Sequence, residues 1–505
     1  MKRNTYIVLS GLALVVTTLS FSFNKADIPK VWDIERIKSM HMPMPDSSEV
    51  MSPVSEEYYY NLPERVAYKA YQFYMPGKEP KGYYEWLRQQ QPEIIFNAAD
   101  LKTEDDWIKA GEIIYDMPEV YEPIDSAYLA LLPELEKHWR KFIPTTKEGV
   151  IPFLSIVVRE KGRLELGSRT CGMCHTKVMP DGDLLKGGQG NFIFTNYLVS
   201  LLRVQRDVRK VPDSLIQLRI NAFNRLLFQA PWIKHESQDR LKKLSVDEWL
   251  AAFETRVGVL HRQGTGLGYP VNVPDLFNVK ARKYLDRTGH LLQRDIGDLM
   301  RYATFNQSAD KLDDYNGFTA FNRAADPKKG NVTRFSDEQL FALAKFIYSL
   351  KSPKNPTVYP EALLKKGEAI FKKQGCITCH TPPLYSNNKL TPVDGFTPPA
   401  DHFDKYDIFD RSVGTDPALT LYTRRGTGYY KVPSLVGAWN RTAFLHGGYV
   451  ATLEDMFSSK RFDTNYVPTG YKPPWVEHMA VIGHPFGTDL NEEDKAALLA
   501  FIRSL

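Results

Sequence analysis

The chain has 505 residues, with 65 Lys and Arg against 60 Asp and Glu, a formal net charge of +5, and 43% apolar residues. So small a charge on so long a chain, with no Lys/Arg run, excludes a nucleic-acid footprint. The length fits two or three domains of roughly 100–200 residues each, and the apolar share is sufficient for buried cores.

Met1-Lys2-Arg3 precedes the largely apolar stretch from Tyr6 to Phe23. Residues 1–25 therefore read as an export signal with a basic n-region and a hydrophobic h-region. Ser22-Phe-Asn-Lys-Ala26 lacks the small-x-small cleavage pattern, so an uncleaved N-terminal membrane anchor is the alternative, since roughly eighteen residues just span a bilayer. Either form places the body outside the cytoplasmic membrane, in the periplasm. Residues 26–150 follow as an N-terminal extension with aromatic helices and no assignable role. The run Tyr58-Tyr59-Tyr60 reads as packing rather than as an electron relay.

Cys171-Gly-Met-Cys174-His175 and Cys376-Ile-Thr-Cys379-His380 consume all four cysteines. Two thiols one helical turn apart can each add to a haem vinyl group, and the adjoining histidine then faces the iron. Zinc sites, redox thiols and disulfides also use paired cysteines. None of these needs a histidine directly after the second cysteine, and here it occurs twice. The reading is covalent attachment of two c-type haems, with His175 and His380 as proximal ligands.

Between the motifs, residues 191–266 carry helical patterns at Leu215–Phe228 and Ser245–Leu260. Val273-Pro-Asp-Leu276 recurs as Val432-Pro-Ser-Leu435, with Arg282 and Gly289 matching Arg441 and Gly448 at the same offsets. Ser336–Leu350 matches Asn491–Leu505. Each of these two stretches opens on a good N-cap, acidic residues and an apolar stripe, as a closing helix does. Ser352-Pro-Lys-Asn-Pro356 marks a joint. Pro360–Lys373 places Leu363, Leu364, Gly367, Ile370 and Phe371 on one face, with Pro360 expected at the first helical position. The expected fold is mainly α: two tandem class I cytochrome c-like domains, residues 151–353 and 354–505, with a helical N-terminal extension and a large insert in the first.

These features, with the stretch Arg441-Thr-Ala-Phe-Leu-His446-Gly-Gly-Tyr-Val-Ala-Thr-Leu-Glu-Asp-Met456, resemble the bacterial di-haem cytochrome c peroxidase superfamily, which includes MauG-type enzymes. Gly483-His484-Pro-Phe-Gly-Thr-Asp-Leu490 is similar to its longer members, the latex-cleaving di-haem oxygenases. The resemblance covers residues 150–505. It implies a substrate site at the first haem and an electron-transfer haem at the second. His261 stands in the loop where the smaller enzymes carry a distal histidine, as a reversible ligand or acid–base group against a solvated loop residue; His290 and His235 are weaker candidates. At the second haem His484 is the favoured distal ligand, with Lys460, Met456 and Met479 as alternatives, and His446 orients structure nearby. The inter-haem tryptophan expected of MauG-type enzymes is missing, with Arg287 and Tyr284 near its position. The resemblance also leaves room for calcium between the domains.

Three functions follow in order. The first is reduction of hydrogen peroxide, with electrons from a small periplasmic cytochrome c or copper protein. The second is oxidation of an organic or protein substrate, with oxygen as a co-substrate in the oxygenase form. The third is electron carriage without catalysis.

Overall fold

Thr103 and Asp106 close a capping box at the start of the helix Glu104–Asp116. Ser336 and Gln339 do the same for Asp337–Ser349, and Asn491 caps Glu492–Arg503. Each cap satisfies donors that a helix N-terminus leaves open. The computed structural model describes residues 27–46, 49–308 and 311–505, so the expected export segment 1–25 lies outside the described residues. Among those described, no helix is long and apolar enough to cross a membrane. Helix outweighs strand, 36% against 14%, in keeping with the mainly α expectation.

The two closing helices each pack across an earlier one: Asp337–Ser349 across Glu104–Asp116, and Glu492–Arg503 across Glu361–Lys373. A glycine sits at each crossing. A Cβ on Gly111 would lie 1.9 Å from the Ala342 carbonyl oxygen, and one on Gly367 2.1 Å from that of Ala497. Only the missing side chain lets the backbones approach so closely. Four residues on, Tyr115 meets Phe346 at 5.1 Å and Phe371 meets Phe501 at 5.4 Å between ring centroids. The repeat seen between the closing helices therefore extends to their partners.

The Val-Pro-x-Leu copies also fold alike. Asn278 and Gly437 are both left-handed, with φ of 54° and 73°, and each opens a 3₁₀ turn, Val279–Ala281 and Ala438–Asn440. Farther on, Asp286 and Leu445 are left-handed again, as are Gly289 and Gly448. Leu285 pairs with Leu291, and Phe444 with Val450.

The N-terminal extension is mainly helical, as expected, but it also contributes two strands to a sheet. Ala70–Tyr74, Val120–Pro123, Val150–Glu160 and Arg163–Ser168 form a four-stranded antiparallel sheet in which Val150–Glu160 lies between Ala70–Tyr74 and Arg163–Ser168. Its core strand runs Val-Ile-Pro-Phe-Leu-Ser-Ile-Val-Val with nearly every side chain buried. A short continuous apolar run of this kind looks the same as a buried helix by periodicity. The sheet straddles residue 151, and the helix Glu104–Asp116 that pairs with Asp337–Ser349 lies wholly before it.

The insert is helical: Phe194–Asp207, Asp213–Leu227 and Val246–Phe253 share an apolar core around Ile216, Ile220, Trp249 and Phe253. The last of these helices stops short of the expected Leu260. Gly258 adopts φ 74° and Val259–Leu260 becomes a strand against Val271–Asn272. Pro360 occupies the N-cap rather than the first helical turn. Tyr59 stacks on Trp32 at 4.3 Å in the N-terminal core.

Candidate functional site

The first CxxCH motif is itself a one-turn helix, Cys171–His175, capped by Thr170, whose hydroxyl accepts from the Met173 N–H at 2.9 Å. Tyr115 reaches over from the crossing helix and donates its hydroxyl to the His175 carbonyl at 2.6 Å. His175 Nδ1 meets the Pro274 carbonyl at 2.9 Å. A carbonyl only accepts, so Nδ1 carries the proton and Nε2 keeps its lone pair. Burial holds this imidazole down at about 4, the neutral form that a metal ligand requires.

The second motif follows Gly375, left-handed at φ 73°, which turns the chain out of Glu361–Lys373 into the 3₁₀ turn Cys376–Thr378. His380 Nδ1 meets the Tyr385 carbonyl at 3.1 Å. Burial again lowers the imidazole to about 4, opposed by the carbonyls of Tyr385 and Pro433. Pro274 and Pro433 are the same position of the repeated Val-Pro-x-Leu element, whose carbonyl accepts from His175 Nδ1 in the first copy and lies beside His380 in the second.

No two of the four cysteines are joined in a disulfide. Burial pushes the Cys174 and Cys376 thiols up to about 11 and raises that of Cys379, opposite to the activated thiolate of a redox motif. Among the described residues no group of three or more His, Cys, Asp or Glu could hold a metal ion, so neither a zinc site nor the expected calcium finds such a cluster there.

Cys171, Cys174 and His175 open into a cavity of about 390 Å³, within the roughly 300–1,000 Å³ of cofactor sites. Its walls are largely apolar, supplied by Leu343 and Ile347 of the closing helix and by Leu198, Phe223, Leu227 and Phe253 of the insert. Paired thiols, a pinned histidine with a free Nε2 and an apolar cavity together fit a c-type haem.

His261 lines this cavity. It is buried, and neither ring nitrogen makes a hydrogen bond of good geometry, although the Ala252 and Gly266 carbonyls lie near enough to oppose the effect of burial. Phe228, Phe253 and Tyr471 hold the ring at centroid distances of 5.3, 5.7 and 5.9 Å. Burial lowers it to about 3. The alternative of a solvated loop histidine is thereby corrected. Arg262 lines the cavity too and pairs with Asp286. His235 instead caps the helix Glu236–Arg240 and stacks on Tyr422. His290 packs edge-on against His41 at 5.1 Å.

At the second site the His484 ring stands 6.3 Å from that of His380, with the planes 60° apart. A single metal ion between the two rings would be held by both imidazoles, at metal–nitrogen distances of about 2.0–2.1 Å. The His484 Nδ1 is buried without a partner. Of the alternatives, Lys460 is exposed, Met456 is buried in the core of the last helix, and Met479 packs on that core. His446 stacks on Tyr430 at 4.1 Å.

Sequence reasoning missed what holds His484. Gly483 and His484 are consecutive left-handed residues, with φ of 79° and 48°, a backbone that a non-glycine residue resists. The fully buried Arg461 donates to the Gly483 and His484 carbonyls at 2.8 Å each, and also to those of Val481 and Met456. Nothing in the sequence marks this arginine, because its partners are all backbone.

No family model matches the chain, and no curated protein matches it. Two solved structures are similar at low level. Hydrazine synthase of Kuenenia stuttgartiensis matches with a TM-score of 0.28 and 16% identity, over 58% of this chain and 89% of that one. A MauG-like protein associated with microbial copper homeostasis matches with a TM-score of 0.28 and 17% identity, over 46% and 73%. Likeness of this extent says nothing about chemistry.

Proposed function

We propose that the chain is a periplasmic di-haem c-type oxidoreductase that reduces hydrogen peroxide at the first haem, with electrons relayed by the second from a small cytochrome c or copper protein. One observation carries this reading: the asymmetry of the two sites. His484 takes His380 as a ring neighbour at a spacing suited to a shared iron, whereas His261 takes Phe228, Phe253 and Tyr471 and stands in the wall of a roomy cavity. A closed site suits electron transfer, and an open one suits small-molecule chemistry.

Bound at these motifs, haem would supply the redox-active iron and pass electrons to peroxide. The chain's own residues do the rest. Cys171 and Cys174 would hold the first group and Cys376 and Cys379 the second, and His175 and His380 would offer Nε2 as ligands, because carbonyl acceptors fix the proton on Nδ1. His261, neutral at physiological pH, accepts a proton from bound peroxide and returns it to the departing oxygen. Arg262, kept near the cavity by Asp286, favours the negative charge that develops there. The insert's apolar side chains exclude water.

The same apolar wall supports a second reading, oxidation of an organic substrate at the open haem. The two are separated by turnover. Peroxide reduction predicts consumption of two equivalents of a reduced small cytochrome per peroxide, and His261→Ala should lower that rate 10²- to 10⁴-fold while leaving the second haem's spectrum unchanged. A wild-type protein that carries both haems yet does not oxidise the donor with peroxide would refute the peroxidase reading.

A further inference from the structure

At the joint between the two units, four cationic side chains converge with too few anions. Arg282 and Arg287 come from the first unit, Lys431 and Arg441 from the second. Asp275 is already shared by Arg282 and Arg441, and Asp286, also close, is engaged by Arg262. That leaves Arg287 and Lys431 with backbone carbonyls: Arg287 Nε donates to Asn272 at 3.3 Å and Lys431 Nζ to Tyr284 at 3.3 Å. The Nε atoms of Arg282 and Arg441 are buried with no partner. Cations drawn together away from water repel one another and lose hydration, a cost met by counter-charge or by giving up a proton, and burial with the neighbouring arginines does hold Lys431 well below its usual value.

The location says what the counter-charge is. Arg282, Arg287, Lys431 and Asp275 border the large cavity of the first motif. They also border a small cavity of about 20 Å³ at the joint, which extends to Pro433 beside His380. The cluster thus lines the first motif's cavity and approaches the second motif through Pro433. A haem carries two propionate carboxylates on one edge, and a haem held at either motif would bring the kind of anion the cluster lacks.

We infer that Arg282, Arg287, Lys431 and Arg441 form one carboxylate clamp that holds propionates of both haems at the joint. The inference rests on the di-haem reading and deepens it. Asp275 is the clamp's own spacer, splaying Arg282 and Arg441. Each of these arginines also grips its own Val-Pro-x-Leu turn, Arg282 through the Asp275 and Phe277 carbonyls and Arg441 through those of Ser434 and Val436. The clamp would therefore tie propionate position to the element that orients His175 and lies beside His380.

The test is a redox titration of the full-length holoprotein followed at both haems, on wild type, Lys431→Met, Arg287→Gln and the charge-keeping Lys431→Arg. A cation beside a haem favours the reduced iron, so its removal lowers the midpoint. The clamp requires both midpoints to fall in Lys431→Met and in Arg287→Gln, and Lys431→Arg to restore them. Redox-difference infrared spectra of wild type should show carboxylate bands that move with reduction of either haem, a readout that survives if a variant does not fold. A shift at one haem only, no shift, or a shift that added phosphate abolishes would overturn the clamp with the di-haem reading intact. Absence of two covalent haems per chain by haem staining and mass would overturn that reading itself.

Discussion

Arg461→Gln isolates the loop that presents His484. In the native loop, His484 holds a left-handed backbone that costs about 1–2 kcal/mol. Arg461 offsets this with donors to the carbonyls of Gly483 and His484 at 2.8 Å, each such charged bond contributing about 1.5–3 kcal/mol. The Gln amide reaches fewer carbonyls than the guanidinium and leaves others buried and unpaired, at about 1–3 kcal/mol apiece. Losing two bonds therefore costs the presented conformation about 3–6 kcal/mol, or about two to four decades of population at about 1.4 kcal/mol per decade. The second haem should then lose its distal ligand. Low-temperature EPR and absorption spectra of the variant should show its low-spin signal replaced in large part by a high-spin one, with the first haem unchanged. Arg461→Lys should recover it only partly, since an ammonium cannot span the same carbonyls. A folded Arg461→Gln protein with the low-spin signal intact would refute the argument.

Gly367→Ala should destabilise the second unit by about 1–3 kcal/mol, because its Cβ would meet the Ala497 carbonyl oxygen at 2.1 Å and core overpacking costs that much; the urea midpoint reads it, and an unchanged midpoint would mean that the crossing is looser than described. Acid should destabilise the fold through histidines buried neutral and outside the ligand set. Burial lowers His41 to about 4 and His446 to about 3, against about 6.5 unfolded. Their contribution is therefore complete above pH 6.5 and falls by up to about 1.4 kcal/mol per pH unit for each on acidification toward those values. Denaturant midpoints should be level from pH 7 to 8 in this respect and drop from pH 6 to 4; His446→Gln should reduce the slope, and an identical slope would remove His446 from the explanation.

The two CxxCH motifs were legible because the covalent chemistry proposed for them fixes residue type and spacing. The closing helices and the Val-Pro-x-Leu turns were legible because both units repeat them, down to Arg282 and Arg441. The helix Glu104–Asp116 was hidden because three strands and two short helices separate it from Cys171, whereas Glu361–Lys373 lies directly before Cys376. Val150–Glu160 was hidden because a strand buried on both faces has no alternation to read. His261 and His484 could be nominated from their motifs, but not the aromatic cage of the one or the arginine-held strained turn of the other. Those depend on Phe228, Tyr471 and Arg461, which are far apart in sequence and carry no spacing of their own. The cation cluster was legible only in part: Arg282 and Arg441 stand at matching offsets of the repeat, but nothing in the sequence brings them together with Arg287 and Lys431.

The central claim is that the two haem sites differ, the first open and the second closed by His484. Low-temperature EPR of the oxidised full-length protein, wild type beside His484→Ala, tests it most directly. The expected result is one high-spin signal that added peroxide consumes and one low-spin signal that turns high-spin in His484→Ala alone. Two low-spin signals inert to peroxide, or a low-spin signal indifferent to His484→Ala, would contradict the assignment.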